Sequence, residues 1–403
     1  MPNQGGWGRR LLGAAVVLPT LSVSGQDGTP GVGPLAPLSC AHAQDGSCPP
    51  PTWNPVYDMN LSTVVQGCNY SGLVNGAGRY GLVSFDWQNG ADVWGAAPTG
   101  EWNCSAVALA QAARVKAEDN RTRVFVYRNF CLALAVLRTQ REAMGDPAKR
   151  HFFLQYQPGN PAGITPGTIF DSPMSQNQSQ YFWNWTQPEV LQWWREEILG
   201  PDAAGSPFID GIFTDDVDGT FQEHGDAIAA MGMSDDQVQA VSDATQSAYT
   251  TLLRALIEAR AYNWQAFGAE DWTQALLPTK GGAACVASMR ALCTAELRAQ
   301  PKLISAPGAN RAGAVVPLGN MRQMVAAFLV MRGPYWWFGQ GWSGHTCTSH
   351  RQPLPFPYDP LWDISPGHPL TNCSEPTPGV FRRAFEHGVA ALDCNNFNAT
   401  LDF

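Results

Sequence analysis

The segment "FIDGIFTDDVDGTF" (208–221) places four aspartates within nine positions, directly after an apolar run. The overlapping run "PFIDGIFTDD" (207–216) is the strongest strand signal in the chain, because it combines apolar, aromatic and β-branched residues. Side chains alternate along a strand, so Asp215 shares a face with Phe213, and Asp216 lies on the opposite face with Ile212. Strand ends often twist or bulge, so both acids could still reach the same mouth. Acids at the end of such a strand fit a solvated turn, a calcium loop or a catalytic mouth.

Strand-like and helical patterns alternate on both sides of this segment. The strand-like runs are "RYGLVSFDW" (79–87), "TRVFVYRN" (122–129), "GTIFD" (167–171), "AYNWQAF" (261–267), "KLISA" (302–306), "PYWWFG" (334–339) and "HGVAALDC" (387–394). The helical runs are 104–119, "CLALAVLRTQREAM" (131–144), "PEVLQWWREEIL" (188–199), 234–259 with Ser234 as N-cap, and 318–332. Such alternation is typical of a parallel sheet with crossover helices, and therefore of the α/β class.

We predict a single (β/α)8 TIM barrel with long, disulfide-braced loops. A doubly wound open sheet is the alternative, but no G-x-G-x-x-G motif follows the first strand. Residues 1–26 have the pattern of a signal peptide, with Arg9 and Arg10 before a short apolar stretch. Residues 27–56 form an irregular lead-in rich in Pro and Gly, and the barrel takes up 57–403.

Composition limits the partners and the compartment. The net charge is −9 with no basic stripe, which argues against a nucleic-acid partner, and no long apolar run follows the N-terminal segment, so no membrane span is expected. Ten cysteines without zinc-finger spacing favour disulfides, and we expect Cys40 with Cys48 and Cys285 with Cys293 to close local loops. Eight Asn-x-Ser/Thr acceptors point to a secreted, N-glycosylated protein; they are Asn60, Asn69, Asn103, Asn120, Asn177, Asn184, Asn372 and Asn398.

Acidic and aromatic residues recur where the predicted strands end, which is where barrel enzymes place their chemistry. We predict catalytic roles for Asp215, Asp216 and Glu270. The predicted substrate-binding residues are Asp86, Trp87, Tyr127, Asn129, Asp210, Asp218, Trp264 and Trp337. Two of the neighbouring residues keep alternative roles: Asn129 could instead tie its turn, and Arg128 could pair with a strand-end acid or bind an acidic substrate.

Paired carboxylates beside aromatic rings suit glycoside hydrolysis. One carboxylic acid protonates the leaving oxygen, and a second carboxylate activates water or attacks the anomeric carbon. Sugar rings have apolar faces that lie on indole rings. Trp183, Trp185, Trp337 and Trp342 fit either this role or packing between sheet and helix, whereas Trp193 and Trp194 fit helix packing. A calcium loop is disfavoured, because "DDVDG" lacks the bidentate Glu of an EF-hand and follows a strand.

The segment "DGIFTDDVDG" resembles the aspartate-bearing fourth strand of secreted barrel glycosidases similar to glycoside hydrolase family 114. The resemblance also extends to "GLVSFDW" and "VFVYRN", as the first and the next strand of such a barrel. It implies that Asp210 matches the first aspartate of the motif and Asp215 the catalytic one, with Asp216 and Asp218 following. The second catalytic acid of that family has no clear match, and Glu270 is the candidate by position.

Two hypotheses follow for a polysaccharide or glycan partner. In the first, the chain is a secreted glycoside hydrolase that needs no cofactor or metal, since its seven histidines are scattered. In the second, it is a non-catalytic glycan-binding or cell-wall protein on a degenerate barrel. No nucleophile elbow G-x-S-x-G is present, which disfavours a serine hydrolase.

Overall fold

The computed structural model describes residues 57, 61–65, 80–172, 179–217, 220–264, 281–293, 302–305, 321–334, 336–339 and 360–403. The strands in these residues are β1 (Leu61–Val65), β2 (Tyr80–Phe85), β3 (Arg123–Asn129), β4 (Leu132–Leu134), β5 (Gln180–Phe182), β6 (Gly211–Asp215), β7 (Tyr262–Trp264), β8 (Lys302–Ser305), β9 (Trp336–Gly339), β10 (Ser374–Thr377), β11 (Val380–Phe385), β12 (Gly388–Asp393) and β13 (Asn398–Asp402). The helices are α1 (Ala91–Trp94), α2 (Cys104–Glu118), α3 (Arg138–Gly145), α4 (Pro188–Ile198), α5 (Thr220–Glu223), α6 (Gly225–Met231), α7 (Asp235–Glu258), α8 (Gly282–Leu292) and α9 (Met321–Met331).

A parallel sheet joins strands from most of the chain in the order β7-β6-β3-β2-β1-β9-β8. β1 pairs with β9, so the first and last strands of this sheet are hydrogen-bonded neighbours. That cyclic order is the one a barrel requires. Within the described ranges β7 and β8 are not paired, so the fold established here is a mixed α/β fold, and closure of an eight-stranded barrel stays a prediction.

The sheet is buried on both faces, as a parallel sheet covered by crossover helices must be. One face carries Val126 and Ile212, which belong to the same hydrophobic cluster as Trp194 of α4 and Leu252 of α7. The opposite face carries a second cluster, in which aromatic side chains from several strands meet: Phe125, Tyr127, Phe213, Tyr262 and Trp337. Phe213 therefore places Asp215, two residues later, on this aromatic face.

Gly211 begins β6 because the neighbouring strand lies too close for a side chain. A Cβ at this position would lie 2.0 Å from the carbonyl oxygen of Tyr262 and 2.7 Å from the ring of Phe125. Only glycine avoids these clashes without moving the backbone. The glycine in "DGIF" is thus required for the tight pairing of β6 with β7.

Two helix predictions have different outcomes. α7 begins as predicted, with Ser234 and Gln237 forming a capping box, and α4 begins with Pro188 in its first turn. The helix predicted over 131–144 is wrong in its first half, where β4 pairs antiparallel with β5 and only α3 is helical. Residues 131–137 are all buried, so they have no polar face to give to solvent.

The predicted strand over 167–171 is also wrong. Ile169 and Asp171 form only isolated antiparallel bridges, to Gln155 and Tyr181. The predicted strand over 387–394 exists as β12, but it belongs to a four-stranded antiparallel sheet of order β10-β11-β12-β13. This second sheet contacts α9 through the cluster around Phe328, Phe385 and Leu392.

Disulfides join α8 to the antiparallel sheet region. Cys285 bonds to Cys394 and Cys293 to Cys373, across 109 and 80 residues of sequence. The predicted local pair Cys285–Cys293 is therefore wrong. Eight residues of helix separate these two cysteines by about 12 Å, whereas bridged Cα atoms lie within about 7 Å. The pair Cys40–Cys48 lies outside the described residues. In the described part of the chain, no helix is long and apolar enough to cross a membrane.

Candidate active site

The neighbouring strands β3 and β6 bring predicted residues together at their carboxyl ends. Their register pairs Tyr127 with Phe213 and Asn129 with Asp215. Alternation then puts Tyr127, Asn129 and Asp215 on one face of the sheet. The sequence predicted these residues singly, and the pairing of β3 with β6 makes them one cluster.

Asp215 is buried, and both of its carboxylate oxygens accept hydrogen bonds. The Tyr127 hydroxyl donates to Oδ2 at 2.6 Å, and the backbone N–H of Asp216 donates to Oδ1 at 2.9 Å. The backbone carbonyl of Asp215 accepts from the N–H of Phe130 at 2.9 Å, which fixes the end of β6 against the loop after β3. These bonds hold the carboxylate in one orientation.

Asp216 has a left-handed backbone, with φ of 53°. A non-glycine residue pays a conformational cost in this region and needs contacts that hold it there. Its Oδ2 accepts a hydrogen bond from Asn129 Nδ2 at 2.7 Å. This turn brings the Asp216 side chain back toward the end of β3, although strict alternation along β6 would point it to the helix-covered face.

Tyr127 is a buried donor that stays protonated. Its pKa is raised well above 10.0, first by burial and then by the charges of Asp215, Asp216 and Asp86. The hydroxyl also accepts a hydrogen bond from Asn129 Nδ2 at 2.8 Å. Because that bond fills an acceptor position of the oxygen, the phenolic proton is directed to Asp215.

Asp86 and Trp87 follow β2, on the other side of β3 from β6. Asp86 is buried, and its Oδ1 accepts a hydrogen bond from the N–H of Gln88 at 2.9 Å. The charge of Asp86 contributes to the raised pKa of Tyr127, after burial and the charges of Asp215 and Asp216. Trp87 is half-buried and packs against the aromatic face of the sheet.

A small cavity adjoins Asp216. It is lined by Asp216, Cys131, side chains of α5 and α7, and the aromatic residues Phe130, Trp183 and Trp185. Its volume open to the centre of a water molecule is about 10 Å³, room for about one water. Ligand pockets of about 300–1,000 Å³ are usual, so this cavity does not by itself hold a sugar ring.

Burial, followed by the charges of Asp216 and Asp215, raises the pKa of the Cys131 thiol well above 9.0, so it stays protonated.

Three of the four tryptophans considered as sugar platforms are core residues, and Trp342 lies outside the described residues. Trp183 and Trp185 are 1% and 5% exposed and pack with Trp194 between the sheet and α4. Trp337 is buried at 4% exposure among the aromatic residues of the sheet. The packing interpretation is therefore correct for Trp183, Trp185 and Trp194, and Trp337 has little surface to offer a substrate. Trp87, at the end of β2, is half-buried, and its predicted contact with a sugar stays a prediction.

Asp210 lies at the amino end of β6, the end opposite Asp215. Its carboxylate accepts from Lys116 Nζ at 2.5 Å, from Arg123 Nη1 at 2.9 Å and from the N–H of Val124 at 2.8 Å. Five residues of strand, about 16 Å, separate it from the cluster. The predicted role of Asp210 in substrate binding is therefore wrong. Its carboxylate forms ion pairs that join β6 to α2 and β3.

Arg128 points to the helix-covered face of β3. It is buried, and its Nε donates to Glu197 Oε1 of α4 at 3.0 Å. Its partner is thus a helix acid, not the strand-end acid or substrate considered from the sequence. Glu197 was missed, although it follows the buried Trp194 by three positions and so lies on the same helix face.

Three predicted residues have no described side chain. Asp218 and Glu270 lie outside the described residues. Trp264 ends β7, and its backbone pairs with Phe213. The roles predicted for them stay predictions.

Comparison with solved structures finds glycoside hydrolases. A family 31 dextranase from Flavobacterium johnsoniae, complexed with glucose, is 11% identical; the match covers 73% of this chain and 37% of the dextranase, with a TM-score of 0.39. An α-galactosidase from Thermus thermophilus is 12% identical, with coverages of 87% and 68% and a TM-score of 0.42. A cyclic α-maltosyl-(1→6)-maltose hydrolase from Arthrobacter globiformis is 12% identical, with coverages of 85% and 91% and a TM-score of 0.43.

The match therefore spans 37% of the dextranase and 91% of the Arthrobacter hydrolase. No protein-family model and no curated protein matches the chain. TM-scores of this size do not establish a common overall fold, so the function has to be inferred from the geometry of the site.

Proposed function

We propose that this protein is a secreted glycoside hydrolase in which Asp215 is the catalytic carboxylate. The observation that carries the proposal is that Tyr127 and the N–H of Asp216 both donate to Asp215, and Asn129 donates to Tyr127 and Asp216, at the carboxyl ends of two adjacent parallel strands. That edge is where α/β sheets and barrels bind their substrates. The resemblance of "DGIFTDDVDG" to family 114 glycosidases supports the same residue, and membership of that family is part of the proposal.

Asp215 has the surroundings of a nucleophile or a general base. Both of its oxygens accept hydrogen bonds. Tyr127 is protonated and donates to Oδ2, so it is not the base. A carboxylate held by donors on both oxygens is suited to attack an anomeric carbon or to activate water. The general acid must then be another carboxylic acid, for which Asp216 and Glu270 are the candidates. Asp216 belongs to the described cluster, where its side chain accepts a hydrogen bond from Asn129.

The proposed substrate is a polysaccharide or glycan. Trp87, at the end of β2, would supply an indole for a sugar face. Asp86 is 2% exposed and would act on the site through its charge. Closure of the sheet into a (β/α)8 barrel would place these residues on the rim that holds Asp215. Secretion is supported by the signal-like N-terminus and by two disulfides, which form in oxidising compartments.

The test is hydrolysis of a glycan panel by wild type, Asp215→Asn and Asp171→Asn. Asp171 is an exposed acid outside the cluster and controls for the chemical change. We expect kcat to fall by at least about 1,000-fold in Asp215→Asn, as for loss of a covalent or base catalyst, and to stay within about twofold in Asp171→Asn. Full hydrolysis by Asp215→Asn would remove Asp215 from its proposed role.

The alternative is a glycan-binding protein without turnover. One observation favours it: Oδ2 of Asp216, the described candidate for the general acid, is already bound by Asn129. Retention on immobilised glycans that is equal in wild type and Asp215→Asn, with no product from either protein, would support this alternative.

A further inference from the structure

Asn129 uses its entire hydrogen-bonding capacity inside the protein. Its Oδ1 accepts from the backbone N–H groups of Cys131 and Leu132, at 2.8 and 2.7 Å. Its Nδ2 donates to the Tyr127 hydroxyl at 2.8 Å and to Asp216 Oδ2 at 2.7 Å. A side-chain amide has two acceptor positions and two protons, and all four are occupied.

This arrangement also fixes which way the amide faces. Two backbone N–H groups need an acceptor, so the oxygen must lie toward the loop after β3 and the NH2 group toward the acids. A flipped amide would set NH2 against two donors and oxygen against a carboxylate. Asn129 is 3% exposed, so water cannot replace the lost bonds.

The bond to Asp216 affects Asp215 as well. Asn129 binds the side chain of Asp216, and the backbone of Asp216 is left-handed, with φ of 53°. In that conformation the N–H of Asp216 points to Asp215 Oδ1 at 2.9 Å. The Tyr127 hydroxyl, oriented by the same NH2 group, donates to the other oxygen of Asp215.

We propose that Asn129 is a positioning residue that orients both carboxylates through Tyr127 and Asp216, and that it does not contact the substrate. The catalytic part of this inference rests on the proposed function. It replaces the sugar contact predicted from the sequence, because the amide has no donor or acceptor left for a sugar hydroxyl.

The kinetic test compares Asn129→Asp with Asn160→Asp. The first substitution keeps Oδ1 for the loop but replaces both donated protons by an acidic oxygen. Asn160 is also a buried amide, and its Nδ2 donates to the carbonyls of Gln157 and Ile164, not to an acid. We expect Asn129→Asp to lower kcat by about 100-fold with KM within about threefold, as for misplacement of a reacting group by about 1 Å, and Asn160→Asp to leave kcat unchanged.

The pH profile gives a second readout. A carboxylate at position 129 would face Asp216 and the Tyr127 hydroxyl, which itself donates to Asp215 and is within reach of the charge of Asp86. Like charges favour protonation, so the acid limb of kcat/KM should move to higher pH in Asn129→Asp. A raised KM with unchanged kcat and an unmoved acid limb would show that Asn129 contacts the sugar, and the proposal would be wrong.

A stability measurement separates this inference from the proposed function. Asn129→Asp/Asp216→Asn exchanges the amide and the acid, so a donor again faces an acceptor. We expect the double variant to recover part of the fall in the unfolding midpoint seen in Asn129→Asp. Strictly additive losses in this double-mutant cycle would contradict the contact that positions Asp216, whether or not the protein hydrolyses glycans. Activity that survives Asp215→Asn would instead contradict the proposed function alone.

Discussion

Tyr127→Phe removes one hydroxyl from the cluster and keeps the ring, which packs edge-on to Phe213 with centroids 5.5 Å apart. The hydroxyl donates to Asp215 at 2.6 Å and accepts from Asn129 at 2.8 Å. A buried hydrogen bond to a charged group contributes about 1.5–3 kcal/mol, and here a donor on Asn129 also loses its acceptor. We expect the free energy of unfolding at neutral pH to fall by about 2–3 kcal/mol and kcat to fall about 10- to 100-fold.

The loss of stability should depend on pH in one direction. Tyr127 has a folded-state pKa above its unfolded value near 10, with burial as the first cause. The stability that this difference contributes is fully present below about pH 10 and is lost as pH rises toward the folded-state pKa. Wild type should therefore lose about 1.4 kcal/mol per pH unit, relative to Tyr127→Phe, above about pH 10. The difference between the two unfolding free energies should therefore narrow as pH rises above about 10.

Denaturant titrations of both proteins, followed by tryptophan fluorescence from neutral pH to about pH 11, measure this difference. Tyr156→Phe removes the hydroxyl of a half-buried tyrosine that packs on Phe170, away from the acids, and should leave kcat unchanged. A gap between wild type and Tyr127→Phe that stays constant above about pH 10 would refute the assignment of a buried, protonated phenol. Equal stability at neutral pH would refute the two hydrogen bonds.

Four further substitutions test the packing of the fold. Glu197→Ala leaves the Arg128 guanidinium, 1% exposed, buried without its carboxylate, and should lower the free energy of unfolding by about 3–5 kcal/mol in denaturant titrations. Gly211→Ala places a Cβ 2.0 Å from a carbonyl oxygen and should yield little folded protein by circular dichroism. As a control, the Cβ of Gly225→Ala in α6 meets no atom within 4 Å, and this variant should raise stability by up to about 1 kcal/mol. Cys394→Ala opens a bridge that spans 109 residues and should cost about 2–5 kcal/mol, measured as a lower thermal midpoint than wild type under non-reducing conditions.

The end of β6 was predictable because local rules and packing agree there. Alternation along "GIFTD" places Phe213 and Asp215 on one face, and the aromatic cluster confirms that placement. The same rule puts Asp216 on the other face, and there it fails. A left-handed backbone turns Asp216 back toward Asn129, and a positive φ at an aspartate leaves no pattern in a single sequence.

Long-range contacts account for the remaining differences. "CLALAVL" has helical spacing, but all seven of its residues are buried, and Leu132–Leu134 pair with a strand about fifty positions later, which local periodicity does not report. Asp210 resembles a motif acid by sequence, yet Lys116 of α2 reaches it from 94 positions away. Cysteine spacing suggested a short loop at Cys285, while the true partner lies 109 residues on.

The bridges from α8 determine what a protease could remove from this chain. A single cut anywhere between Cys285 and Cys394 leaves two fragments that are still covalently linked, because the Cys285–Cys394 bond spans the cut site. The antiparallel sheet would thus be retained after such a nick and released only when thiols are supplied. On a gel without reductant the nicked protein should run as one species, and with reductant as two.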